Sequence, residues 1–144
     1  MQKSWPWIAL GVLAVVVAIA ALLFARSSFG GSSAGLANTN WSLVSINGQP
    51  PIAGRALSVR FQSGTQLAGD SGCNSFGAQY QVSGNNIAVT QLVSTLRACA
   101  EQPLNAQEAM FQQALGHAAQ FSLAGSQLTL HNASGGEVLV FQKQ

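Results

Sequence analysis

Residues 77–90 read GAQYQVSGNNIAVT, and their alternation decides the fold class. Ala78, Tyr80 and Val82 alternate with glutamines, then Ser83-Gly84-Asn85 interrupts, and Ile87 and Val89 resume the alternation. A period of two puts successive side chains on opposite faces of a strand, so each half predicts a half-buried β-strand. The Ser-Gly-Asn cluster between them supplies the turn of a hairpin. The same alternation recurs upstream in residues 41–46 and 56–61, and downstream in 120–124, 127–131 and 137–141. Asn47-Gly48, Gly54, Ser63-Gly64, Gly125-Ser126 and residues 134–136 punctuate these runs. Two antiparallel meanders follow from that spacing.

One helical pattern lies between the meanders. Leu104, Phe111, Leu115 and Ala118 fall within about 80° of arc at helical periodicity, a stripe suited to packing on a sheet. Asn105 and Glu108 have the spacing of a capping box, which predicts a helix start there just after Pro103. The fold class expected is α+β: a curved, partly open antiparallel sheet, like a cracked barrel, packed on one helix. It occupies residues 40–144.

Upstream, residues 7–25 (WIALGVLAVVVAIAALLFA) contain no charge and no strongly polar side chain. As a helix this run spans about 28 Å, close to the thickness of the hydrocarbon core of a bilayer. Lys3 precedes it, Trp5 and Trp7 suit an interfacial belt, and Arg26 closes it. Residues 1–25 are thus expected to be a transmembrane anchor, with the N-terminus inside. A cleaved secretory signal is the alternative, with small-x-small patterns at residues 18–20 and 32–34. Either way the remainder is expected to be exported. Residues 26–39 form a Gly/Ser-rich linker with a reach on the order of 20 Å.

Charge excludes one partner class. The formal net charge of +2 comes from Lys3 and Arg26; beyond Asn40 four basic residues balance four acidic ones. An evenly balanced domain has no basic footprint for nucleic acid. No metalloprotease, phosphate-loop or nucleophile-elbow motif occurs, and His117 and His131 lack metal-ligand spacing. Neither a catalytic residue nor a metal or other cofactor is expected.

Two cysteines, Cys73 and Cys99, remain. An even count in an exported chain reads first as a disulfide. Closing about 27 residues would stabilise the fold by roughly 3.5 kcal/mol in the chain-entropy picture. The competing reading is a reactive thiol, which needs an activating base nearby. Asp70 reads as a turn residue. The Asn74 amide suits bridging loop backbones, with facing a partner as its other use.

These residues carry a resemblance. Residues 41–48 (WSLVSING), residues 67–74 (LAGDSGCN) with Gly77 and Tyr80, then residues 94–99 (STLRAC) and then Glu108 to Leu115, resemble the META domain of HslJ-like proteins. The motif positions are Trp41, Gly72, Cys73, Asn74, Gly77, Tyr80, Thr95 and Cys99. The resemblance implies a small, non-enzymatic bacterial envelope protein, from a family tied to heat shock and to novobiocin resistance. It also implies a fold like the barrels of lipid-binding secretion pilots. In that frame Trp41, Phe111, Leu115, Leu128 and Leu130 are candidates to line a hydrophobic groove between helix and sheet, although core packing is their ordinary use. Many relatives are lipoproteins; here no cysteine stands just after the apolar run, and neither Cys73 nor Cys99 can serve, so residues 7–25 replace the lipid. The expected location is the bacterial inner membrane, single pass, with the domain in the periplasm and an envelope protein or lipid as partner.

Overall fold

The computed structural model describes residues 35–144; the expected membrane segment at residues 7–25 lies outside them. Among the described residues no helix is long and apolar enough to cross a membrane.

Among the described residues eight strands and one helix follow in order: β1 (Thr39–Ile46), β2 (Ser58–Phe61), β3 (Gln66–Asp70), β4 (Ser75–Ser83), β5 (Asn86–Ser94), α1 (Gln102–Gly116), β6 (Gln120–Ala124), β7 (Gln127–His131) and β8 (Glu137–Lys143). Each strand pairs antiparallel with its neighbour in sequence, and β8 returns to pair with β1. The sheet is therefore closed, where the sequence reading expected it partly open. The thinnest seam is β5 to β6, with one register pair, Asn86 opposite Gln120. Two further backbone bonds hold it: Ile87 N–H to Ala119 C=O at 3.0 Å and Phe121 N–H to Asn85 C=O at 2.9 Å. Closure has a physical cause: α1 carries the chain from the end of β5 back to its beginning, and pairing there leaves no bare edge to attract another chain.

Residues facing inward make a continuous apolar core. Trp41, Phe61, Tyr80, Phe111 and Phe141 are its largest fully buried side chains. Their rings meet edge to face: Phe61 with Tyr80 at 4.9 Å, Phe76 with Phe111 at 5.7 Å, Phe111 with Phe141 at 6.4 Å. Such pairs add about 0.5–1.5 kcal/mol each beyond area burial. Phe111 thus pins α1 to strands from both meanders. The helical stripe is as expected, with Leu104, Phe111, Leu115 and Ala118 all buried. Leu36, in the stretch read as linker, is also fully buried.

Three local expectations differ. Strand β3 was not expected as a strand, because Ala68 and Gly69 dilute its alternation, and only Leu67 is fully inward. Strand β5 continues past Thr90 to Ser94 across a bulge, where Gln91 takes a φ of 53° and the register shifts between Gly77 and Gln79. An extra residue flips the phase, so Leu92 rather than Gln91 packs against the core. Finally, α1 starts before Asn105: Glu101 is the N-cap, with no side-chain cap bond, and Pro103 sits in the first turn. Asn105 and Glu108 are used elsewhere, so no capping box forms.

Tyr80, the chain's one tyrosine, donates its hydroxyl to the Gln62 carbonyl at 3.3 Å. Burial disfavours the phenolate and raises the Tyr80 pKa above its ordinary 10.0. The unfolded chain then loses this proton first. Tyr80's contribution to stability is complete below pH 10 and is lost as pH rises through the higher native value. In an absorbance titration of tyrosinate, the native protein should titrate above the urea-unfolded one. A native midpoint at or below the unfolded one would remove this account of Tyr80.

Candidate functional site

The sequence motif around Cys73 and the motif around Cys99 meet in space. Cys73 lies in the β3–β4 turn and Cys99 in the segment between β5 and α1, and the two form a disulfide with Cα atoms 5.7 Å apart. The reading as a reactive thiol therefore gives way to a cystine; no free cysteine exists in the chain. The turn requires a glycine at Gly72, whose φ of +109° is open to few other residues.

Asn74 is the hub. Its Oδ1 accepts from the Arg97 N–H and from the Thr95 hydroxyl, both at 2.7 Å. Its Nδ2 donates to the Arg97 carbonyl at 3.0 Å and to Glu108 Oε2 at 2.8 Å. One side-chain amide thereby takes both the N–H and the C=O of Arg97, as a neighbouring strand would. Asn105, from α1, does the same more loosely at Cys99: N–H to Oδ1 at 3.2 Å and Nδ2 to C=O at 3.4 Å. These two asparagines and the disulfide hold residues 96–99, which make no backbone-to-backbone hydrogen bond, against the barrel and helix, while the Thr95 N–H still bonds the Ser75 carbonyl at 3.1 Å. Bridging of loop backbones is the use of Asn74.

Glu108 completes the arrangement. It sits on the buried face of α1 at 8% exposure, one turn from Leu104 and Phe111. The Ser71 hydroxyl donates to Oε1, and Asn74 donates to Oε2. Ser71 also lies within reach of the Asn74 carbonyl, which its own N–H bonds at 2.8 Å. A buried carboxylate costs several kcal/mol unless its oxygens are satisfied, and here two neutral donors satisfy them. Gln107 beside it is also buried and accepts the Ile52 N–H at 2.6 Å, tying the β1–β2 connection to the helix.

Above this network runs a groove of about 370 Å³ between residues 94–98 and α1. Asn74, Glu108, Asn105 and Gln112 contribute polar atoms, Ala98 and Ala109 apolar ones. Leu96 stands at its rim, 98% exposed, with Arg97 next to it.

Of the eight motif positions, Gly72, Cys73, Asn74, Thr95 and Cys99 converge here. Trp41, Gly77 and Tyr80 do not. Trp41 is a core residue whose indole N–H donates to Thr39 Oγ1 at 2.7 Å. Gly77 lies mid-strand in β4 opposite Ala68, and Tyr80 packs on Phe61. The five side chains considered for a ligand groove, Trp41, Phe111, Leu115, Leu128 and Leu130, are all at most 1% exposed, inside the barrel core. All five belong to the one apolar core cluster. Asp70 closes the turn by accepting from the Ser75 hydroxyl at 2.9 Å. Ser71 and Glu108 were missed as site residues. Glu108 had a signal: an acidic side chain on the arc of the apolar stripe.

Solved structures share the fold. A protein structure determined by NMR is 25% identical, with a TM-score of 0.59, over 73% of this chain and 88% of that one. A second NMR structure, of a protein from Burkholderia xenovorans, is 24% identical with a TM-score of 0.62, over 76% and 83%. A crystal structure of a DUF4847 family protein from Bacteroides vulgatus is 14% identical with a TM-score of 0.53, over 74% and 93%. No curated protein matches. The profile of the META domain matches residues 34–144, the whole of the described barrel and helix, and the chain thus belongs to the META-domain family.

Proposed function

We propose that this protein is a non-catalytic binding module of the bacterial envelope, held at the inner membrane by residues 7–25 with the barrel in the periplasm, and that it supports the envelope under stress such as heat or novobiocin. Its partner in this reading is an envelope protein or lipid met at the groove beside residues 94–98. The observation that carries it is Leu96: a leucine almost wholly in water, on a segment that a disulfide and two asparagines hold in one shape. An apolar side chain kept rigidly exposed beside a polar groove suits contact with a partner, because little ordering entropy remains to be lost on binding. The cystine agrees with an oxidising compartment. Carriage of a lipid or other hydrophobic ligand in a groove between helix and sheet draws less support, since the five side chains that would line it are fully buried.

Deletion of the gene should raise sensitivity to heat or novobiocin, and the full-length chain should restore tolerance. Leu96→Asp should fail to restore it while the domain's stability stays within about 0.5 kcal/mol, as for a surface change. Full complementation by Leu96→Asp would remove the groove from the reading; unchanged sensitivity on deletion would remove the stress role.

A further inference from the structure

The Sγ atoms of Cys73 and Cys99 and a carboxylate oxygen of Glu108 all lie within 4.8 Å of one another. They come from the β3–β4 turn, the segment before α1, and α1 itself. We propose that, once the disulfide is reduced, Cys73, Cys99 and Glu108 form a binding site for a borderline-soft divalent cation, with Zn²⁺ the ion this donor set suits.

The donor chemistry is specific. Cystine sulfurs are poor ligands, whereas thiolates are strong, soft ones. Two thiolates and a carboxylate make a three-ligand set that leaves one tetrahedral position for water. At Zn–S distances of about 2.3 Å and Zn–O of about 2.1 Å, tetrahedral ligands stand about 3.8 Å apart for sulfur to sulfur and about 3.6 Å for sulfur to oxygen. The sulfur-to-oxygen separation lies within the span of the observed cluster, whereas the two sulfurs, joined in the cystine by a bond of about 2.05 Å, must part by about 1.8 Å once it opens.

Glu108 is prepared for this role. A carboxylate has about four acceptor positions, and Ser71 and Asn74 occupy one on each oxygen, leaving others free. Donors placed behind a carboxylate in this way orient metal-ligating groups in known sites. The backbone at Cys99 is held through Asn105 and that at Arg97 through Asn74, so the two sulfurs stay close after their bond opens. Both cysteines are half-buried, which leaves a path from solvent.

The chemistry balances with a dithiol as reductant. The dithiol gives two electrons and two protons and becomes a disulfide, while the Cys73–Cys99 bond breaks to two thiols. Metal binding then forms two sulfur–metal bonds and one oxygen–metal bond and releases both thiol protons to water. The site is thereby open only in the reduced protein.

The test uses the full-length chain in detergent, oxidised or reduced with excess dithiothreitol that is removed anaerobically, titrated with Co²⁺ or Zn²⁺ alone. Reduced protein should bind one equivalent, with a thiolate-to-Co²⁺ charge-transfer band; oxidised protein should show none at the same concentration. Glu108→Gln, reduced, should bind at least tenfold more weakly. X-ray absorption of the reduced wild-type Zn²⁺ form reads the ligands without any substitution and should give two sulfurs and two lighter atoms. The proposal is overturned by no binding to the reduced chain, by loss of the native near-ultraviolet dichroism on reduction, by unchanged affinity in a folded Glu108→Gln, or by a four-sulfur shell.

Discussion

Gly69→Ala will destabilise the domain by more than about 3 kcal/mol, the range of the severe core clashes. A Cβ at Gly69 would stand 2.0 Å from the Ser58 carbonyl oxygen and 2.9 Å from two carbons of the Phe76 ring. The first neighbour is backbone in β2 and cannot rotate away. The second is a ring packed on Phe111, so moving it loosens the contact that fixes α1. Gly69 pairs with Val59 on one side and Phe76 on the other, and any shift disturbs both ladders. No positive φ is involved; the requirement is space alone. Gly116→Ala is the matching control: it ends α1 with nothing within 4 Å of the added methyl, and should stabilise by about 0.5–1 kcal/mol. Urea unfolding followed by far-ultraviolet dichroism measures both. A Gly69→Ala protein within about 1 kcal/mol of wild type would show that β2 and β3 can move apart freely.

Asn74→Ala should cost about 3 kcal/mol, and Asn74→Asp more. The alanine variant removes four hydrogen bonds and leaves Glu108 with one of its two donors. A net loss near 1 kcal/mol per bond is tempered by water entering from the groove. In Asn74→Asp the shape and the two accepted bonds survive. The donor to Glu108, however, becomes a second carboxylate oxygen about 2.8 Å from the first, and it also faces the Arg97 carbonyl. Like charges at that separation in a mostly buried place repel more than a missing amide costs. Thermal unfolding of both variants with the disulfide intact gives the order. Equal melting temperatures for Asn74→Asp and wild type would mean that the amide's donors do not hold the loop.

The strands were legible where alternation was undiluted, as in β4, where inward Phe76 and Tyr80 alternate with glutamine and glycine. It failed where a residue was chosen for clearance or phase: Gly69 empties β3 of side chains, and Gln91 shifts the phase of β5. The helix was legible from its stripe, yet its beginning was misplaced because Asn105 and Glu108 have the spacing of a cap. Spacing along the chain cannot tell a cap that bonds its own helix from two side chains that reach across to Cys99 and Ser71. Of the site, the pairing of two cysteines and the bridging use of Asn74 were readable from residue type. Glu108's role was not.

What the sequence determined by itself is local: an α+β class, two meanders flanking a helix, an apolar stripe on that helix, and a motif order that marks the family. Those follow from period and turn chemistry, which act between residues a few positions apart. Only the tertiary structure decided that the sheet closes, that five proposed groove residues are core, and that a carboxylate on α1 lies within 4.8 Å of the Cys73 and Cys99 sulfurs. Each of those depends on contacts between segments some 10 to 100 positions apart. The packing of the whole chain determines which such pairs can meet, because a side chain's burial and partners depend on everything that surrounds it.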